Sequence, residues 1–264
     1  MDLVPLDKEI QKKVYDDLFS PSLQQAWKAL WNIASLVTTI TLPIMYLNHY
    51  ANEIFRNNIE KLNNKLKGVL DENIIETQPE IWVPILEKLT YTKNEKISDL
   101  FLELLKKASN KNEISLVHPK YIKIIENLSE DEALILEYLN KNQITRIFSL
   151  SINYEEKGLK WYRIALSKYT WLENHINLNF SQNLSLYINN LESLWILNYW
   201  WSIYQPDTEE FKPYEVLQKS KQIVNIKKEI EENWYIYKEK KWFFELTNLW
   251  EDFLEALYLN NDSI

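Results

Sequence analysis

The sequence predicts a mainly α protein: helical hairpins forming a bundle over residues 1–145, then a smaller, aromatic-rich α+β module over 146–264. Three observations lead there. Apolar residues recur at three-to-four spacing through most of the first 139 residues, the period of a helix with one buried stripe. Beyond Thr145 that period blurs and tyrosine and tryptophan become dense, a composition suited to strands. Hydrophobic residues make up 46% and charged residues 26% of the 264, enough apolar surface for a core and unlike a disordered chain.

Leu3, Leu6, Ile10, Val14 and Leu18 mark a short amphipathic helix. Ser20-Pro21 starts the next, which runs through Trp27 and Trp31 toward a break at Pro43. A helix over about 44–70 places Phe55, Ile59, Leu62 and Leu66 on one face, with Gly68 near its end. Ile81, Trp82, Ile85, Leu86 and Leu89 form another face. Thr92-Lys93-Asn94-Glu95 matches a capping box ahead of Leu100, Phe101, Leu104 and Leu105. His118-Pro119 opens a helix burying Tyr121, Ile122, Ile125 and Leu128. Ser129-Glu130-Asp131-Glu132 is a second capping box, and its three carboxylates read as a solvated first turn that suits the helix dipole.

In the rear half, Ser181 caps a helix over 182–193, and residues 195–204 form a strand. A charged helix spans 213–232 and carries Val216, Leu217, Val224, Ile226 and Ile230. Residues 234–237 and 242–246 read as the arms of a β-hairpin with Lys238-Glu239-Lys240-Lys241 at its tip, and Thr247 caps a last helix. This order is compatible with a winged-helix-like module.

Several chemistries are excluded. Only 2 glycines occur where about 7% is usual, so no glycine-rich phosphate loop can be built from Gly68 and Gly158. Cysteine is absent, which removes disulfides, thiolate metal sites and cysteine nucleophiles and fits a reducing, cytoplasmic setting. His49, His118 and His175 are too scattered to suggest a metal centre. No cofactor is expected. Residues 1–70 carry +1, 71–150 −4, 151–204 0 and 205–264 −5, so no segment has the basic footprint of a duplex-DNA binder. The charged first ten residues do not resemble a secretory signal. The most apolar stretch, residues 34–47, is shorter than the roughly 20 residues of a spanning helix and contains Pro43. It reads as a core helix, or as an interfacial segment with Trp27, Trp31, Leu36 and Ile40 facing a membrane.

The segments PEIWVPILEKL (79–89), NEKISDLFLELLKKA (94–108) and VHPKYIKIIENLSEDEALIL (117–136) resemble the middle of the abortive-infection alpha family of bacteria. The last carries His118, Pro119, Tyr121, Ile125, Leu128 and Ser129 at the family's spacing. YINNLESLWIL (187–197) and LTNLWEDFLEAL (246–257) resemble its asparagine-leucine helix and its terminal threonine-capped helix. Where the family pattern has glycine this chain has Trp195 and Trp250, so tight turns there must be made differently. The resemblance implies a role in defence against phage, in which an infected cell is arrested or killed. It assigns no catalytic residue. His118 invites a catalytic role, but His-Pro at a helix start is first of all a capping device.

The expectation is therefore a non-enzymatic protein acting through surfaces, with a protein partner or a second copy as ligand. Trp195, Tyr199, Trp200, Trp201, Trp234 and Trp242 are the candidate interaction residues, since such side chains serve as core or as interface anchors. Trp200 and Trp201, adjacent in a strand, must point to opposite faces. Base stacking on these rings, helped by Lys238, Lys240 and Lys241, is a lesser reading that the acidic surroundings disfavour. The runner-up function is a winged-helix regulator that binds nucleic acid.

Overall fold

The computed structural model describes residues 49–156, 161–201 and 212–258. Helices dominate, joined by one four-stranded antiparallel sheet. The segments expected over residues 3–43 lie outside the described residues, and so do Trp27, Trp31, Leu36 and Ile40. The chain divides into two compact units, one of residues up to Glu130 together with Phe253 onward, the other Asp131–Asp252.

The first unit contains α1 (His49–Leu66), α2 (Pro79–Leu89), α3 (Glu95–Ala108) and α4 (Pro119–Glu126). The apolar stripes do what their spacing predicts. Phe55, Ile59, Leu62 and Leu66 are buried, as are Ile81, Trp82, Ile85, Leu86 and Leu89, and Leu100, Phe101, Leu104 and Leu105. Each such side chain contributes about 1.5–3 kcal/mol through removal from water. Helix α3 starts at Asn94, whose side chain accepts from the Ile97 amide at 3.1 Å. Asn94 thus displaces Thr92, whose hydroxyl turns back to the Lys88 carbonyl at 2.8 Å, so the expected capping box is not the one used. Buried Asn58 ties α1 to the end of α2 by donating to the Leu89 carbonyl at 2.8 Å. The returning chain closes this unit: the Phe253 ring meets Tyr121 edge-on at 5.4 Å, and buried Lys107 donates from Nζ to the Glu255 carbonyl at 2.5 Å.

The second unit holds α5 (Glu130–Lys141) from its second residue, β1 (Arg146–Glu155), β2 (Tyr162–Thr170), α6 (Leu184–Ser193) and β3 (Leu197–Trp201). Then come α7 (Lys212–Gln218), α8 (Lys221–Glu232), β4 (Ile236–Leu246) and the start of α9 (Asn248–Leu257). Helix α5 lies ahead of the boundary expected at residue 145, yet from Asp131 on it groups with the sheet. The strand order is β2-β1-β4-β3, every pair antiparallel.

The hairpin expected over residues 234–246 is one unbroken strand in the sheet's interior. The run Lys238-Glu239-Lys240-Lys241 offers no residue suited to a tight hairpin turn. It pairs instead with Asn153, Ile152, Ser151 and Leu150 of β1. The hairpin the sequence reading missed is β1–β2. The helix expected over 213–232 is two helices, because the Ser220 hydroxyl caps α8 by accepting from the Ile223 amide at 3.3 Å. That break shifts the phase. Tyr214, Leu217, Ile223 and Ile230 are buried, whereas Val216 and Val224 are exposed.

One face of the sheet carries Leu150, Ile152 and Tyr169 and packs against Tyr214, Leu217, Ile223 and Ile230 of α7 and α8. The other face presents Ile147, Tyr199 and Phe244, and α6 lies over that end.

Candidate functional site

Three helices in the second unit end in the same device. After α5, α6 and α8 the residues Gln143, Trp195 and Trp234 take φ of 52°, 62° and 62°. In each case this residue and its successor donate backward to two carbonyls of the last turn. For Trp195 these are Glu192 at 3.0 Å and, from Ile196, Leu191 at 3.0 Å. For Trp234 they are Glu231 at 3.0 Å and, from Tyr235, Ile230 at 3.1 Å. This is the Schellman motif, whose left-handed residue is usually glycine. The tight turn at Trp195 is therefore made in the usual way with an unusual residue, and Trp250 lies buried within α9 and makes no such turn.

Both turn tryptophans stand out from the surface, Trp195 66% and Trp234 78% exposed. They precede opposite ends of the sheet, because the start of β3 pairs with the end of β4. Ten steps along β4 put them roughly 30 Å apart. Tyr199 and Trp242 are brought together on the α6 face, ring centroids 4.7 Å apart, and the backbone of Trp201 pairs with that of Trp242. Trp200 lies on the α7 and α8 face, opposite Phe243 and 48% exposed. The six aromatic candidates thus make several separate features around one sheet.

Between them lies a held cation. Lys168 takes a left-handed φ of 52° at an irregularity of β2, and its amide donates to Ser151 Oγ at 3.0 Å. Its ammonium bonds Asn189 and Glu192 of α6, the latter at 3.0 Å, and stands over the Phe244 ring at 5.1 Å.

Of the three carboxylates after Ser129, only Glu130 is solvated as expected. Asp131 and Glu132 are 2% and 3% exposed. Asp131 accepts from the Asn179 amide at 2.7 Å, the Phe180 amide at 2.9 Å and the Tyr187 hydroxyl at 2.8 Å, and Glu132 accepts from the Asn190 side chain at 2.8 Å. Burial by itself would raise the Asp131 pKa. The amide of Asn179, the Tyr187 hydroxyl and the amide of Phe180 outweigh it and hold the carboxyl below its usual range. An ionised carboxylate here locks the loop before α6. Sequence reasoning could not see this, since the donors lie about fifty residues away.

His118 accepts the Lys120 amide on Nδ1 at 3.1 Å, Pro119 takes the first helical position, and Tyr121 lies buried beneath. Ser129 directly precedes α5. Among the described residues no group of three His, Asp or Glu side chains could hold a metal ion.

A helical unit and a second unit built on a small antiparallel sheet, with aromatic residues as its most prominent surface features, define a class of α+β protein. The sequence model of the abortive infection alpha family matches residues 48–257, and the chain belongs to that family. No curated protein matches. One similar solved structure is that of an uncharacterized protein from the hydrocarbon-degrading marine bacterium Alcanivorax borkumensis SK2. It is 14% identical, with a TM-score of 0.33 over 56% of this chain and 96% of that one, a likeness too low to carry an argument.

Proposed function

We propose that this chain is a phage-defence protein of the abortive-infection type that works by contact with a protein partner or a second copy of itself, not by catalysis. Family membership over residues 48–257 carries the defence reading. The contact reading is supported by large aromatic residues kept at exposed, conformationally costly positions, Trp195 and Trp234, where burial gives them little. A cytoplasmic site of action fits this reading. Among the described residues no helix is long and apolar enough to cross a membrane. Contact between a membrane and Trp27, Trp31, Leu36 or Ile40 remains part of the proposal, and leakage of dye from anionic vesicles tests it.

The winged-helix alternative is less favoured. Its wing was to be the 234–246 hairpin, which is a strand at the sheet's interior, and Lys238 and Lys241 are engaged by Glu155 at 2.6 Å and Glu239 at 3.5 Å. The test of the main reading is plaque formation by a broad phage panel on bacteria with and without the gene. Reduced plaquing by at least one phage, weakened when Trp195 and Trp234 are replaced by serine, is expected. Equal plaquing across the panel would overturn the defence reading.

A further inference from the structure

The face of the sheet beyond α6 has a feature that core packing does not explain. Strand β1 alternates strictly. Phe148, Leu150, Ile152 and Tyr154 face the core under α7 and α8, while Ser149, Ser151 and Asn153 face the other way. These small polar residues are 0%, 8% and 4% exposed, so they are covered, although they bring little apolar surface to a core. What covers the lower two follows from the register. Lys240 of β4 pairs with Ser151, and Tyr162 of β2 pairs with Glu155, two steps beyond Asn153 on the same face. The flanking strands send these two long side chains toward each other over β1, and they meet with the Lys240 ammonium 4.7 Å from the Tyr162 ring centroid. They form a bridge across β1 in the stretch of Ser151 and Asn153, where Lys238, opposite Asn153, also pairs with Glu155 at 2.6 Å.

Beneath and beside this bridge, polar atoms lack partners. The Asn153 side chain makes no hydrogen bond to any described residue, and buried Ser149 Oγ has none either. A buried hydroxyl without a partner, such as Ser149 Oγ, costs free energy that an apolar residue would avoid. Lys240 has no carboxylate within ion-pair distance among the described residues, whereas its neighbours Lys238 and Lys241 do. The Tyr162 ring and the adjoining Ile164 are 54% and 62% exposed, which leaves the bridge open to solvent on the β2 side.

We propose that this bridge is a binding site for a nucleoside monophosphate: the base stacks on the Tyr162 ring, the phosphate takes the Lys240 ammonium, and the Asn153 amide bonds the base edge. Each part answers one group of the bridge. A planar ring replaces the cation on Tyr162, a dianion gives Lys240 the counter-charge it lacks, and an edge of alternating donors and acceptors matches a side-chain amide that has one of each. A nucleic-acid strand is the poorer occupant. One unpaired lysine among the described residues of this face, in a chain of net charge −8, provides no cationic track for successive phosphates.

The experiment titrates the full chain separately with AMP, GMP, CMP and UMP, read by calorimetry. Adenosine, inorganic phosphate and a thymidine oligonucleotide are the comparison ligands. Saturable one-site binding of at least one monophosphate below about 1 mM is expected. Adenosine and phosphate alone should bind at least about tenfold more weakly. Tyr162→Ala and Lys240→Gln should each weaken the monophosphate about tenfold or more, Asn153→Ala should flatten the preference among bases, and Val224→Gln, on exposed α8, should change nothing. Absence of saturable binding by all four, or binding that survives Tyr162→Ala together with Lys240→Gln, overturns the site. An oligonucleotide bound far more tightly than any monophosphate, and lost in the same variants, overturns the choice of ligand.

Discussion

Replacing Trp195 by alanine and, in a second variant, by glycine separates the cost of its backbone from the worth of its ring. Both substitutions remove the same indole, about one third of which is buried at 66% exposure, so the packing loss is common to the two. They differ in the backbone. At φ 62° a residue with a Cβ sits in the left-handed region, at a cost of roughly 1–2 kcal/mol that glycine does not incur. Glycine in turn loses roughly 0.5–1 kcal/mol more chain entropy on folding than alanine. The balance leaves Trp195→Gly about 0.5–1 kcal/mol more stable than Trp195→Ala, the reverse of the order at an ordinary helical position. Urea denaturation of the two variants and of the parent reads this difference directly, and thermal unfolding should show a shift of about 2–4 °C per kcal/mol for a chain of this size. If alanine proves as stable as glycine, the left-handed turn after α6 is wrong, and so is the argument that Trp195 occupies a costly position.

Two further outcomes follow from buried charges. Asp131→Ala should cost about 3 kcal/mol, because the Asn179 and Phe180 amides and the Tyr187 hydroxyl lose a charged acceptor together. Since the folded-state pKa of Asp131 lies below the unfolded one, its stabilisation is complete above about pH 3.9 and disappears as pH falls through the folded value. Urea midpoints between pH 2 and 7 should show this slope, reduced in Asp131→Asn. Burial, outweighing nearby Glu113 and Glu103, lowers the pKa of Lys107. The unfolded chain then holds the extra proton between the folded value and about 10.4, stability rises with pH across that window, and Lys107→Met should flatten the rise.

The helical stripes of the first unit were legible because each bury-or-expose decision is made within seven residues. Phe55 to Leu66 and Ile81 to Leu89 need no knowledge of what covers them. The sheet was legible only in part. The alternation Phe148-Ser149-Leu150-Ser151-Ile152-Asn153-Tyr154 is a strand pattern that could have been read, but the surrounding aromatics obscured it. Strand β4 hid for another reason: its lysines and glutamates look like a solvated tip until β1 lies beside them and offers ion pairs such as Lys238 with Glu155. Asp131 and Glu132 failed similarly, since a carboxylate at a helix start is a cap or a buried anchor depending on donors far along the chain. Of the candidate residues, Trp195, Trp200 and Trp234 are exposed, a state their sequence left open between core and surface, and their separation around the sheet needed the strand order.

The return of the chain from the second unit into the first sets an order of events during synthesis. Phe253 and Glu255 are made only after residues 131–252, so the earlier portion of the sequence, although translated first, waits for the last pieces of its core. A premature stop just after Thr247 would therefore injure the part of the molecule translated first, removing the Phe253 ring from Tyr121 and the Glu255 carbonyl from Lys107.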